Sequence, residues 1–455
     1  MATGVGRTGN GPRRTPPAQD TAPRTWRSWS GLATAHPAQT LAPADAAEVA
    51  DAVVAARANG MGVKMVGTGH SFTGIAVADG LMLSPARLVG VTAVDREAMT
   101  VTALAGTPLH VLNQTLTGLG LALHNMGDIE EQTVAGAIST GTHGTGGRWA
   151  SLSAQVAGLE LVAADGSLVV ADETKNRDLF EAARIGLGAV GIITAVTFLV
   201  EPAFTLEAVE EPMSWDQATG SFEEMVRDNH HAEFYWFPHT DRTLTKRNNR
   251  TVDPPRPLSR VRAYVDDELI SNSVFGVINR IGNAAPGTIR RMNRLSSRAL
   301  TARTFSDTSH TVFTSPRRVA FREMEYAVPA EHGMEALAAV RRRIDASDWR
   351  ISFPVEVRWA RADDLWLSTA HGRDTVYLAF HVNAQTDHTT YFEEVERILR
   401  EYDGRPHWGK LHTRTAADLA PEYAHWADFA RVRDAVDPGP DRRFTNGYLE
   451  RILGP

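Results

Sequence analysis

Apolar and polar positions along this chain fall into two spacings, one helical and one alternating, and they divide it into a regular first part and a more irregular second. Across residues 45–59 alanine and valine recur at helical spacing, with Asp45 and Glu48 placed as a capping pair and Asn59-Gly60 as a stop. Residues 63–66 are a short apolar run that reads as a buried strand ending in Gly67-Thr68-Gly69. Residues 89–94 and 99–105 alternate like a hairpin, and residues 108–119 predict a short helix closed by Gly118 and Gly120. Residues 159–170 predict a second hairpin with Asp165-Gly166 at its tip, and residues 191–200 a strand that stops at Glu201-Pro202.

Beyond residue 202 the pattern changes. Residues 233–237, 324–328, 355–359 and 377–382 read as strands, and Glu356 and Arg358 share one face of theirs by the period of two. Residues 245–318 are Arg-rich and weakly periodic, and are expected to form a solvated helical face. From residue 406 onwards the chain reads as short helices rich in His, Trp and Asp. The expected organisation is a disordered tail over 1–24, a first domain over 25–202 and a second over 203–455, in an α+β fold.

Composition narrows the chemistry. A net charge of -7 over 455 residues argues against a dedicated nucleic-acid binder. The chain has no cysteine, so disulfides, thiolate metal sites and cysteine nucleophiles are excluded, and redox chemistry would need a bound cofactor. No apolar run approaches the ~20 residues of a membrane span. Arg13-Arg14 lacks an apolar segment after it, so a cytoplasmic location is expected, with peripheral membrane association left open by the arginines. Nothing in the sequence predicts an oligomeric state.

Two glycine-rich segments carry candidate chemistry. Gly67-Thr68-Gly69-His70-Ser71-Phe72 follows a strand and can bring amides against phosphate oxygens. It is not a dinucleotide turn of the Rossmann kind, because Phe72 stands where the third glycine is required and no helix follows. Residues 125–147 are crowded with Gly, Ser and Thr but interleaved with Val134 and Ile138, which favours an ordered, ligand-lined loop over a linker. The 16 histidines include the adjacent His230-His231 but no His-Glu-x-x-His pair, so no metal is expected and a metal hydrolase carries little weight.

Taken together, the two segments resemble one family. The run VKMVGTGHSFTGIAVADGLMLS (residues 63–84) is similar to the flavin-attachment segment of vanillyl-alcohol-oxidase-type flavoproteins, within them the aldonolactone oxidase and alditol oxidase branch. The similarity continues through Gly127-Asp128-Ile129, residues 133–136, 140–143 and 188–194, and returns at residues 321–328, 353–358 and 405–410. It implies a two-subdomain FAD-binding domain followed by a substrate cap domain whose C-terminal segment returns to the flavin.

The resemblance implies a role for each matching residue. His70 stands at the covalent attachment point of FAD. Met65, Val66, Gly67, Thr68, Gly69, Ser71, Gly127, Asp128, Thr133, Gly136, Thr140, Gly141, Thr142, His143 and Ile192 stand at cofactor positions. Lys410, Arg358 and Glu356 stand at catalytic and substrate positions, with Asp128, His381 and Asn383 on the substrate side. Without the resemblance, a Glu-x-Arg strand face reads as a surface ion pair. Arg358 would stabilise a reduced flavin or an alkoxide, and Lys410, its pKa pushed down by burial, would share the hydroxyl proton. Asp128 stands where alditol oxidases carry Ser, and Asn383 where they carry Thr, so simple alditol specificity is in doubt. Gly127 leaves room for O2 beside the flavin.

The activity this implies is oxidation of a hydroxyl on a gulono-, galactono- or arabinono-type 1,4-lactone by hydride transfer to flavin N5, with O2 or another acceptor. The alternatives are an alditol oxidase, a lactone dehydrogenase that uses an acceptor other than O2, and a flavin-binding module without catalysis. The retained trio Glu356, Arg358 and Lys410 speaks against the last.

Overall fold

The computed structural model describes residues 19–20, 25–259, 286–298, 300–315 and 319–455. Most of the expected N-terminal tail and the centre of the Arg-rich segment lie outside the described residues. Gln19–Asp20, inside that tail, pairs antiparallel with Gln39–Leu41.

Three sheets organise the chain. The first has the order Gln19–Asp20, Gln39–Leu41, Leu81–Leu83, Val63–Met65, and its last two pairings are parallel. The helix Ala46–Ala58 packs beside it, capped as its sequence predicts: Asp45 accepts from the Glu48 amide at 2.8 Å. The second sheet is antiparallel, in the order Leu168–Asp172, Val156–Val162, Ile192–Leu199, Thr100–Leu104, Val91–Asp95, so both predicted hairpins form. Its core takes in Leu109, Leu112, Leu116 and Phe180, and also Phe429, Val432, Leu449 and Ile452 from the C-terminal helices. The end of the chain therefore packs back into the first domain.

The third sheet has eight antiparallel strands in the order Arg303–Thr308, Thr205–Ser214, Arg242–Thr251, His231–Trp236, Val355–Ala360, Thr375–Asn383, Phe321–Pro329, Arg405–Pro406. Alternation gives its central strands two unlike faces. Phe234, Trp236, Val355, Val357, Leu378, Phe380, Met324 and Tyr326 form one core with the helices Phe222–Asp228, Gly333–Asp345 and Thr389–Arg400. The other face carries Glu233, Glu356, Arg358, Tyr377, His381, Glu323 and Glu325, all buried. A carboxylate stays charged there only with a cation beside it, so this face is a network of ion pairs.

Two expectations are corrected. Among its described residues the Arg-rich segment is a solvated helical face only at Ile289–Arg298, where Arg291, Arg294 and Arg298 are exposed, and is strand on either side. Arg242–Thr251 and Arg303–Thr308 are sheet strands whose cations pair across to acids of Thr205–Ser214: Arg247 with Glu211, and Arg303 with Glu210 at 2.7 Å. The second glycine-rich segment is not loop throughout, because Thr133 caps a one-and-a-half-turn helix, Val134–Ser139, by accepting from the Gly136 amide.

Candidate functional site

Two adjoining cavities lie where the glycine-rich segments meet the charged face of the large sheet. The smaller, about 120 Å³, is lined by Lys64, Met65, the loop Gly67 to Ser71, Thr133, Gly136, Thr140, Gly188 and Ile192. The larger, about 220 Å³, is lined by Trp29, His70, Gly127, Asp128, Glu131, Thr142, His143, Glu325, Arg358, His407 and Lys410. His70, Ser71, Gln132 and Thr140 line both.

The smaller cavity fits the middle of a dinucleotide. Gly67 has no room for a side chain, since a Cβ there would sit 2.6 Å from Thr133 Oγ1. Gly69 turns the loop at φ +72°, which favours glycine. Among the described residues no protein acceptor takes the amides of Gly67, Thr68, Gly69, His70 or Ser71. A phosphate would satisfy such a row of donors.

His70 stands at the junction. Its ring stacks on Trp29 with centroids 5.6 Å apart, and Trp29 is fixed by its amide on Gly69 O at 2.9 Å. Burial pushes the His70 pKa down, with Lys410 adding to that and Glu131 opposing it. The imidazole is therefore neutral and can act as a nucleophile.

The larger cavity is walled by cations whose charges are matched internally. Arg358 Nη2 lies 2.5 Å from Glu356 Oε1 and 3.3 Å from Asp128 Oδ1, and its Nε 3.2 Å from Glu233 Oε2. Lys410 Nζ donates to Glu323 Oε2 at 2.5 Å, and lies 5.2 Å from the centre of the Phe72 ring. His143 places Nδ1 2.9 Å from Gly144 O and Nε2 3.1 Å from Glu325 Oε1, and stacks on Tyr377 at 3.5 Å. Both its nitrogens face acceptors.

One sequence expectation is reversed here. Burial does work to lower the Lys410 pKa, but Glu323, Glu325 and Asp128 outweigh it, and the pKa is raised. Glu323 thus favours the ammonium form of Lys410. Glu323 is correspondingly held down to about 2 against its burial, by Lys410 and then His381.

The predicted residues are mostly brought together. Arg358, Lys410, Asp128, Gly127, Thr142 and His143 line the larger cavity; Met65, Gly67, Thr68, Gly69, Thr133, Gly136 and Ile192 line the smaller. Five do not reach either. Val66 points into a small core with Ala35, Ala78 and Met82, because alternation turns it away from Met65. Gly141 faces Ile185. Glu356 stands behind Arg358, and His381 behind Glu323 at 3.4 Å. Asn383, at the end of its strand, accepts from the Gln385 amide at 3.0 Å and lines neither cavity.

Sequence reasoning missed Glu323, Glu325, Glu233, Glu131, His407 and Trp29. The signal for two of them was present: Glu323 and Glu325 stand two apart, on one face of a mostly apolar strand. Among the described residues His143, Glu325 and His407 form a buried group of metal-ligating type. Their atoms are already matched, since Glu325 takes His143 and His407 Nδ1 accepts the Gly409 amide at 3.0 Å. No described helix is long and apolar enough to cross a membrane.

A family model for D-arabinono-1,4-lactone oxidase matches residues 196–452, and one for an FAD-binding domain matches residues 37–172. An L-gulono-1,4-lactone dehydrogenase of Mycobacterium tuberculosis is 40% identical over 430 residues, covering 94% of this chain and 99% of that protein. The L-gulonolactone oxidase of Bos taurus is 30% identical over 94% of this chain and 98% of its own. An alditol oxidase of a Streptomyces species is 31% identical, with 94% and 98% covered. In fold, a cholesterol oxidase from B. sterolicum superposes with a TM-score of 0.80 at 19% identity, covering 100% of each chain.

Proposed function

The chain belongs to the D-arabinono-1,4-lactone oxidase family of FAD-dependent oxidoreductases, and on that premise we propose that it oxidises a secondary or primary hydroxyl of a gulono-, galactono- or arabinono-type 1,4-lactone, with its flavin bonded to His70. The observation that carries this reading is the position of His70 between the phosphate-type cradle and the cation-walled cavity. When bound, FAD accepts the hydride that the carbinol carbon loses. Gly67, Thr68, Gly69 and Ser71 would hold its pyrophosphate through their amides, and the neutral His70 imidazole would offer the nitrogen for its attachment, a bond that gives up two protons and leaves two electrons on the flavin for the electron acceptor to remove.

Residues from both halves of the chain then act on the substrate. Lys410 and Arg358 donate to the oxygen of the hydroxyl being oxidised and stabilise the negative charge that grows there as hydride leaves, while the proton of that hydroxyl is given up to water. Asp128 supplies an acceptor for a second substrate hydroxyl, since an ionised carboxylate offers acceptors only. Glu356 and Glu233 hold Arg358 in its plane, which fixes the reacting carbon by orientation. The two electrons pass on to O2, giving H2O2, or to another acceptor. Asp128 stands where alditol oxidases carry Ser, which speaks against simple alditol specificity.

The test is anaerobic flavin reduction across aldono-1,4-lactones and alditols, followed by reoxidation with O2 and with an artificial acceptor. Bleaching of the flavin by a lactone at low concentration is the expected outcome. A protein without flavin, or one reduced by alditols alone, would contradict the reading.

A further inference from the structure

We propose, resting on the reading above, that Glu323 is a positioning residue for this oxidation: its buried carboxylate, braced by His381, fixes Lys410 Nζ at the cavity as an ammonium donor. Glu323 lies on the strand Phe321–Pro329, directly across the ladder from His381. One carboxylate oxygen takes Lys410 Nζ at 2.5 Å and the other faces His381 Nε2 at 3.4 Å. The His381 ring is tied at its far side, with Nδ1 3.4 Å from Pro354 O.

The main chain of the same strand holds the Lys410 loop. The Leu411 amide donates to Glu323 O and the His407 amide to Glu325 O, each at 3.0 Å. From the flavin domain, the Phe72 amide donates to Gly409 O at 2.8 Å, and the Phe72 ring covers the other side of the ammonium. Lys410 is therefore clamped between two domains, with its charge set by the strand behind it.

The charged and titratable groups facing Lys410 are Glu323 and Glu325 from the strand, Asp128 from the glycine-rich segment, His70 from the attachment loop and His407 from its own loop. Of these, Glu323 accepts from Nζ directly, at 2.5 Å. A carboxylate kept only for packing would affect stability, but not the pH at which the donor is lost.

The experiment is stopped-flow reduction of the flavin by an aldono-1,4-lactone without oxygen, from about pH 6 to pH 10, with lactone mixed from a neutral stock. Native protein should show no falling limb up to about pH 10, because free lysine titrates near 10.4. Glu323→Gln should bring in a falling limb about one to two pH units lower, at unchanged flavin content. Adding Lys410→Arg to that variant should abolish the limb, since a guanidinium does not titrate there. Superimposable native and Glu323→Gln profiles would overturn the proposal, as would a limb that survives Lys410→Arg. If Glu323→Gln does not fold, the native profile decides: a flat one supports the proposal and a limb below about pH 9 overturns it. Native flavin that no lactone reduces would instead refute the proposed function.

Discussion

His70 and Lys410 reach the same cavity from distant parts of the chain, and single substitutions separate their tasks. His70→Ala should leave flavin that acid precipitation releases into the supernatant, whereas the native protein should carry its yellow colour into the pellet. Lys410→Met should keep its flavin but reduce it about 10²–10³-fold more slowly, the scale expected when one preorganised donor is removed. Equal loss of flavin and of rate would mark Lys410 as structural. Arg358→Leu is a different kind of change. It strands Glu356, Glu233 and Asp128 without their shared cation, and should destabilise the fold by about 3–5 kcal/mol in calorimetry or denaturant unfolding.

At the scale of elements, the alternating strands were the most legible feature of the sequence. The hairpins around Asp165-Gly166 and between residues 91 and 104 fall where the pattern predicts, because turn chemistry and period agree. The six-residue helix after Thr133 escaped, since one and a half turns carry almost no periodic signal. The strands within the Arg-rich segment escaped for another reason. Their cations look solvated in one dimension, and only the neighbouring strand shows that Glu210 and Glu211 lie opposite them. At the site, residues on one strand were legible and cross-strand partners were not: Glu356 and Arg358 could be paired by spacing, while Glu233, Glu323 and Glu325 needed the sheet's register. That missing register also produced the wrong sense for the Lys410 pKa. The apolar face of the same sheet gives its own prediction: Leu378→Ala should cost about 2–5 kcal/mol, with little change in cavity chemistry.

Across the whole molecule, buried ionisable groups set how the protein meets acid. Burial drives His231 and His412 down to about 3 and His407 to about 4, so all three fold uncharged. Unfolded histidine takes up a proton near pH 6.5, so their contribution to stability is present above that value and is lost as pH falls below it. Glu201 acts lower. Burial alone would raise its pKa, but His124 at 3.1 Å and the two-pronged Arg250 hold it at about 2. Its contribution persists above about pH 4.5 and fades as pH falls towards 2. Melting temperature should therefore decline in two stages on acidification, and Glu201→Gln should flatten the lower one. Glu201 ties His124 in the first domain to Arg250 in the large sheet, so that stage should coincide with loosening between them.

The mutual matching of charges around Arg358 and Lys410 has a consequence for how substrate arrives. Each cation already has its counter-charge at 2.5 Å. A neutral sugar lactone also brings no charge of its own. Added salt shortens the reach of surface fields to about 8 Å at physiological strength, but it has nothing here to screen. The apparent affinity for lactone should thus hold steady from dilute buffer to molar salt, and a steep salt dependence would mean that the ion pairs open when substrate enters.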